Sequence, residues 1–195
     1  MRSADIKRKT GETEILIKLN LDGSGKAAVD SKVGFLNHML ESLAKHGMFD
    51  IEASMKGDLH VDQHHTVEDT GIALGQAFKE ALGEKRGIRR AGCFSFPMDE
   101  ALATAAVDIS GRPHLRFRAD FKDKKVGDMP VDLVEDFFQG FVSASGMTIH
   151  LKVSYGRSDH HKAEALFKAF ARALRDACAL EPRLGNDVPS TKGML

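Results

Sequence analysis

His64-His65-Thr66-Val67-Glu68 and His160-His161-Lys162-Ala163-Glu164 are one five-residue pattern written twice, at an offset of 96 residues, and each copy stands where a helical periodicity begins. After the first copy, Val67, Ile72, Leu74, Phe78 and Leu82 predict a helix over Thr66–Leu82, stopped by Gly83. After the second, the spacing predicts a helix over Lys162–Cys178. Working backward, each copy follows a predicted strand, Phe49–Met55 and Gly146–Tyr155, near the dipeptides Gly47-Met48 and Gly146-Met147. Each strand follows a helix: one carries Phe35, Leu36, Met39, Leu40, Leu43 and Ala44, the other covers Val131–Ala144. Further back, Ile15, Ile17 and Leu19 alternate with polar neighbours over Thr13–Asn20. A turn at Asp22–Gly25 and a return strand at Lys26–Asp30 complete an expected hairpin. Its counterpart is Leu102–Ile109, a turn at Ser110–Pro113, and a return strand His114–Ala119. The order hairpin, helix, strand, helix thus occurs twice, which points to internal duplication. The expected fold is α/β (α+β), with two similar halves, each a small β-sheet with helices packed on one face. The halves span residues 8–90 and 91–180, and no linker rich in Pro, Gly or Ser parts them, so 1–195 reads as a single catalytic unit. The tail, 181–195, is polar and punctuated by Pro and Gly, and by itself reads as a frayed end.

Lys plus Arg balances Asp plus Glu at 28 each, with no basic block, which argues against a nucleic-acid partner. No apolar run approaches a membrane span, and the charged N-terminus lacks the apolar core of a signal peptide. Cys93 and Cys178 are isolated and form neither a metal pair nor a disulfide framework. A cytoplasmic protein is expected.

Four of the nine histidines lie in the two adjacent pairs. Neutral imidazole and carboxylate oxygen are common ligands of divalent transition metals. At about 100° per residue, His64 and Glu68 lie about 40° apart around a helix and can share an ion, whereas His65 points about 100° away. Each pair therefore suits two ions rather than one. If a pseudo-twofold relates the halves, His64, Glu68 and His161 serve one ion, and His160, Glu164 and His65 the other. His65 with Glu68 fits almost as well, so the pairing stays open. Acidic first turns are also favoured by the helix dipole alone, but that gives no reason for two His-His pairs. His60 and His150, in expected strands among apolar neighbours, read as structural.

Gly34-Phe35-Leu36-Asn37-His38-Met39-Leu40, Asp62-Gln63-His64-His65-Thr66-Val67-Glu68-Asp69 and Asp159-His160-His161-Lys162-Ala163-Glu164 resemble, in this order, signature segments of the imidazoleglycerol-phosphate dehydratase family. Phe167-Lys168-Ala169-Phe170-Ala171-Arg172-Ala173-Leu174 and Ser190-Thr191-Lys192-Gly193 resemble its later segments. The resemblance runs from about Arg8 to Lys192 and leaves no room for the phosphatase domain fused to some members. It implies a hydro-lyase of histidine biosynthesis that converts D-erythro-imidazoleglycerol phosphate to imidazoleacetol phosphate and water. It also implies two Mn2+ ions per active site and a homo-oligomer, a shell of 24 subunits with sites between chains.

Carried over position by position, the resemblance assigns His38, His64, His65, Glu68, His160, His161 and Glu164 as metal ligands. Asp136 falls at a further ligand position where histidine is frequent, and its oxygen would make that ion's shell harder. Asn37 stands where aspartate is usual; if that aspartate orients His38, the amide does so with less charge. Glu12, His38, Arg90, Arg112, Ser190 and Lys192 fall at substrate-contacting positions, the last four toward the phosphate. Ser190 and Lys192, in the tail, would order over a bound phosphate.

The catalytic set so implied is Glu12, His65 and His161. The reaction breaks an unactivated C–H bond, for which no simple carboxylate is basic enough alone. Metal ions holding the imidazole ring as imidazolate would let it expel the neighbouring hydroxyl and acidify that proton, with Glu12 as general acid/base. Glu12 binding a substrate hydroxyl is the alternative. Asp99-Glu100, at the end of a strand over Phe94–Met98, reads as supporting a ligand or the fold rather than as catalytic. Two other functions fit a two-metal site: a dinuclear metallohydrolase of a phosphate ester, and a metal-assembled shell without catalysis. The former would release inorganic phosphate. The latter needs neither Glu12 nor the phosphate-contact set.

Overall fold

A computed structural model of the chain describes residues 2–193 and 195. It opens with a strand that the periodicity does not predict. β1 (Ser3–Lys9) pairs antiparallel with β2 (Thr13–Asn20) from Ser3↔Asn20 to Lys9↔Glu14. Only Ala4 of β1 is buried, and charged residues surround its half-buried Ile6, so a sheet-edge strand is nearly silent in the pattern.

The expected hairpin from Thr13 to Asp30 is a correction. β3 (Ala27–Asp30) does not return along β2. It crosses through α1 (Gly34–Gly47) to lie parallel to β4 (Asp50–Gly57), and β4 takes the place beside β2. β4 matches β2 over eight residue pairs, while β3 offers four, so the longer ladder satisfies more backbone groups. α2 (His64–Leu82) completes the first half.

The second half repeats this plan: β5 (Ala91–Met98), β6 (Ala101–Asp108), β7 (His114–Arg118), a short hairpin of β8 (Lys125–Val126) and β9 (Met129–Pro130), then α3 (Leu133–Ser145), β10 (Thr148–Tyr155) and α4 (Asp159–Cys178). The sheet orders are β1-β2-β4-β3 and β5-β6-β10-β7, the same arrangement twice. Here too the expected return strand is corrected, because β7 runs parallel to β10 rather than back along β6. His60 lies in an exposed turn, not a strand, and His150 sits on the outer face of β10 beside His114, ring centroids 6.0 Å apart.

In the first sheet Ile15, Ile17, Leu19, Ile51, Ala53 and Met55 face inward onto the helices. The helices of the two halves meet between the sheets: α2 packs on α3, and α1 on α4. Gly71 and Gly140 set the first contact. A Cβ on Gly140 would lie 2.6 Å from the Glu68 carbonyl oxygen, and one on Gly71 would strike the Phe137 carbonyl, so glycine lets the two backbones touch. Phe78, Phe138, Phe141 and Phe170 fill the seam, with centroids 5.1–5.5 Å apart along it. One hydrophobic cluster therefore spans both halves.

Helix ends carry the two His-His-x-x-Glu motifs. Ser158 caps α4, its Oγ accepting from the His161 N–H at 3.3 Å. α1 has no cap of its own; Asp128, in the β8–β9 turn, supplies one, its carboxylate accepting from Gly34 N–H at 2.7 Å and Phe35 N–H at 2.9 Å. The tail is anchored rather than frayed, another correction: Glu181 N–H donates to the Gly87 carbonyl at 2.8 Å and Gly87 N–H to that of Asp187 at 2.9 Å.

Candidate metal centre

Four helix N-termini bring the ligand candidates together, and each cluster draws on both halves. On α4, His160 and Glu164 are one turn apart, with His160 Nε2 at 3.1 Å from Glu164 Oε2. α1 adds His38, whose Nε2 is 3.3 Å from the same oxygen. One ligand atom from each of these three lies within 4.8 Å of the others. On α2, His64 and Glu68 repeat the spacing through Nε2 at 3.9 Å, while α3 brings Asp136 to the other ring nitrogen, its Oδ2 3.3 Å from His64 Nδ1, so these three flank one imidazole rather than converge on a single point. His38 and Asp136 are thus counterparts: each is lent by one half to the other half's helix.

Glu164 is 9% exposed at its side chain, and Lys168 Nζ sits 2.7 Å from its Oε1. Burial works against its charge, but Lys168 and His38 outweigh it and keep the carboxyl below its ordinary range. Oε2 is left facing the two histidines.

The second histidine of each pair points elsewhere, as one helical step requires. His65 Nδ1 is 3.2 and 3.1 Å from the two oxygens of Asp58, which raises the imidazole above its ordinary value. His161 Nδ1 is 2.7 Å from Glu100 Oε2. That contact, with the Ser158 N–H, lowers the Glu100 carboxyl to about 2. A carboxylate that accepts from Nδ1–H leaves Nε2 as a lone-pair donor, the arrangement that orients metal-binding imidazoles. Nε2 of His65 is 3.7 Å from Glu12, and that of His161 3.9 Å from Asp99. Within one chain, then, His161 does not join His64 and Glu68, nor His65 join His160 and Glu164, and those pairings would need a second copy. The donor set suits a divalent transition ion: imidazole nitrogens and carboxylate oxygens, converging at His38, His160 and Glu164, with Nδ1 of His65 and His161 already held, and no thiolate among them.

Glu12 occupies the turn between β1 and β2. Its carboxylate is 55% exposed and, among the described residues, has no hydrogen-bond partner. Asn37 does not reach His38; its Oδ1 accepts from Ser31 N–H at 3.0 Å and Ser31 Oγ at 2.5 Å.

The four phosphate-contact candidates lie at the other end of the helices. Arg90 N–H donates to the Ala177 carbonyl, in the last turn of α4, at 2.9 Å. Its guanidinium forks onto Asp108 (2.7 and 3.2 Å) and donates to the Pro189 carbonyl at 3.0 Å, so part of its capacity already holds the tail. Arg112 follows Gly111, against which Leu195 rests, and its exposed side chain has no ion-pair partner among the described residues. Ser190 Oγ accepts from the Lys192 N–H at 3.2 Å. α4 has 20 residues, which is roughly 30 Å at the usual rise. The tail therefore sits about a helix length from the ligands.

Sequence reasoning missed Asp58, whose only signal is a carboxylate seven residues before His65. It also missed the buried pair Asp159–Lys162 (2.7 Å), which flanks the second His-His pair and holds the 120–123 loop.

The imidazoleglycerol-phosphate dehydratase family model matches residues 31–174, a span that includes every helix-borne ligand candidate. The chain belongs to that family. The imidazoleglycerol-phosphate dehydratase of Methylorubrum populi is 54% identical over 195 residues, covering 100% of both chains. That of Koribacter versatilis is 55% identical over the same span. Among solved structures, the Staphylococcus aureus dehydratase superposes with a TM-score of 0.83 at 37% identity, covering 92% of this chain and 99% of that one. The Pyrococcus furiosus enzyme, solved in complex with (S)-C348, gives 0.85 at 35% identity, covering 97% and 100%. By family the chain is a hydro-lyase of histidine biosynthesis, and its two-half α/β fold matches those structures. No helix among the described residues is long and apolar enough to cross a membrane.

Proposed function

We propose that this chain dehydrates D-erythro-imidazoleglycerol phosphate to imidazoleacetol phosphate, in the cytoplasm, at a Mn2+-dependent site shared between copies of the chain. The observation that carries this reading is the separation of the two ends. Ligand candidates crowd the N-termini of the helices, and the phosphate-contact candidates lie roughly 30 Å away at the C-termini. No small substrate spans that distance, so one copy's ligand end must meet another's phosphate end.

His38, His160 and Glu164 would hold one ion, and His64, Glu68 and Asp136 another once the His64 ring turns to set one nitrogen toward both acids. His65 and His161, with Nε2 directed away from those clusters, would complete the shells of ions held by neighbours. Two bound Mn2+ ions would supply Lewis acidity toward the imidazole ring and fix its orientation. Arg112, Lys192, Ser190 and the part of Arg90 not held by Asp108 would receive the phosphate through charge-assisted bonds. Glu12, without a side-chain hydrogen bond among the described residues and 3.7 Å from His65, would move the proton at the carbon beside the carbinol. Bridging by outward-pointing ligands also accounts for the expected assembly, up to the shell of 24 subunits.

Incubating manganese-loaded protein with imidazoleglycerol phosphate tests the reading. Keto phosphate without inorganic phosphate is expected; release of inorganic phosphate would make it a hydrolase instead. Sizing before and after chelation tests the shared site. A large particle that persists without metal would break the link between ligands and assembly.

A further inference from the structure

We infer that Asp69 is the positioning residue for Glu12, clamping both strands that flank the Glu12 turn onto the helix that carries His65. This rests on the assignment of Glu12 as the proton-transfer group and extends it to a residue that touches neither substrate nor ion.

Asp69 lies on α2, one position past Glu68, and is 6% exposed. Its Oδ1 accepts from Arg8 Nε at 3.0 Å and Arg8 Nη2 at 2.7 Å, and its Oδ2 accepts from Thr13 Oγ1 at 2.5 Å. Arg8 is at the end of β1 and Thr13 opens β2, so one carboxylate grips the chain on both sides of the turn. Inside the turn, Thr10 Oγ1 accepts from the N–H of Glu12 at 3.1 Å and of Thr13 at 3.0 Å. The Glu12 carbonyl accepts from Asp58 N–H at 3.1 Å. Every backbone anchor of Glu12 is thereby fixed while its carboxylate stays free. Because Asp69 and His65 share a helix, the span from Glu12 to His65 is set within one rigid body.

The second half shows that the fold does not need this clamp. Its corresponding turn, Asp99-Glu100, joins β5 to β6, and alanine stands at 165, the position matching Asp69. There Glu100 is itself consumed, accepting from the N–H groups of Arg157 (3.1 Å) and Ser158 (2.7 Å) as well as meeting His161. The second turn is held to its helix by its own acid, Glu100, whereas the first is held by Asp69 through the flanking strands, which leaves the Glu12 carboxylate without a hydrogen bond among the described residues. A buried ion pair adds little net stability over apolar packing, so stability alone does not call for it.

Thr13→Val keeps the shape and removes one of the three bonds to Asp69 together with the 3.2 Å contact of Thr13 Oγ1 with Thr10 Oγ1; Asp69→Asn weakens the three and leaves that contact in place. Each is made alone and with Glu12→Gln, in the assembled, manganese-loaded protein. Thr13→Val should lower kcat by about tenfold, since small misplacements of a reacting group are costly. KM, metal content and assembled size should be unchanged, and the amides of residues 10–13 should exchange hydrogen faster. In the Glu12→Gln background neither change should cost more, because the group being positioned is gone. Equal losses in both backgrounds, or a Thr13→Val variant with wild-type turnover and exchange, would overturn the positioning role and leave Glu12 in place. Wild-type turnover in Glu12→Gln alone would overturn both assignments. If Asp69→Asn does not fold, Thr13→Val decides the matter.

Discussion

The two halves share strand order, helix order and a His-His-x-x-Glu motif, yet they have diverged in how tightly each holds its acids. In the second half Glu164 is nearly buried, and Lys168 at i+4 takes one of its oxygens. In the first half Glu68 is 43% exposed, and Ile72 stands at i+4. Likewise Glu100 is bound by two backbone N–H groups and His161, whereas Glu12, in the matching turn, makes no side-chain hydrogen bond among the described residues and stands 3.7 Å from His65. Duplication supplies two equivalent frames. On the roles proposed above, the acid committed to an imidazole orients a ligand and its counterpart stays available for proton transfer. The difference teaches that chemistry in this fold is sought where a repeated position has lost its partner.

The largest expected effect tests where the halves should agree. His65→Ala and His161→Ala should each abolish turnover if, as proposed, each outward imidazole completes a metal shell on a neighbouring copy. Activity in either variant with one ion per site, read by metal analysis beside kinetics, would break the equivalence. Next comes the place where they should differ. Glu12→Gln should keep full metal occupancy and lose about 10²–10⁴-fold in turnover, the usual contribution of a positioned acid/base group. Glu100→Gln should instead loosen metal binding by roughly 10–100-fold, as removing the partner of a ligand does. Matching phenotypes for these two would erase the division of labour.

Arg112→Ala and Lys192→Ala should weaken substrate binding by on the order of 1.5–3 kcal/mol each while leaving metal content intact. Calorimetry at wild-type affinity would remove them from the phosphate site. The smallest effect sharpens the comparison of clusters. Asp136→His gives the α2–α3 cluster the donors of its counterpart, and it should raise affinity for softer ions such as Zn2+ by up to about tenfold, with little change for Mn2+. A stronger preference for Mn2+ in that variant would show that Asp136 does not set the ion's environment.

The local chemistry was legible in sequence because it is local. A helix is dictated by periodicity within a few turns, and the i, i+4 geometry of His64 with Glu68 and His160 with Glu164 follows from one helical pitch. Duplication, the helices and β2, β4, β6 and β10 could therefore be read from residue order. Which strand lies beside which could not, because a strand satisfies its backbone only through a partner and the sequence does not name the partner. β3 and β7 looked like hairpin returns until longer ladders claimed β2 and β6, and β1 was hidden by its charges. The same holds for the site. Sequence named the ligand candidates but not their neighbours: that His38 of one half meets Glu164 of the other, and Asp136 meets His64, was decided only when the glycines of α2 and α3 let those helices touch and the aromatic seam closed. Asp58, Asp69 and Asp128 are ordinary acids in the sequence. Tertiary contact alone gave them an imidazole, a clamped turn and an uncapped helix to hold.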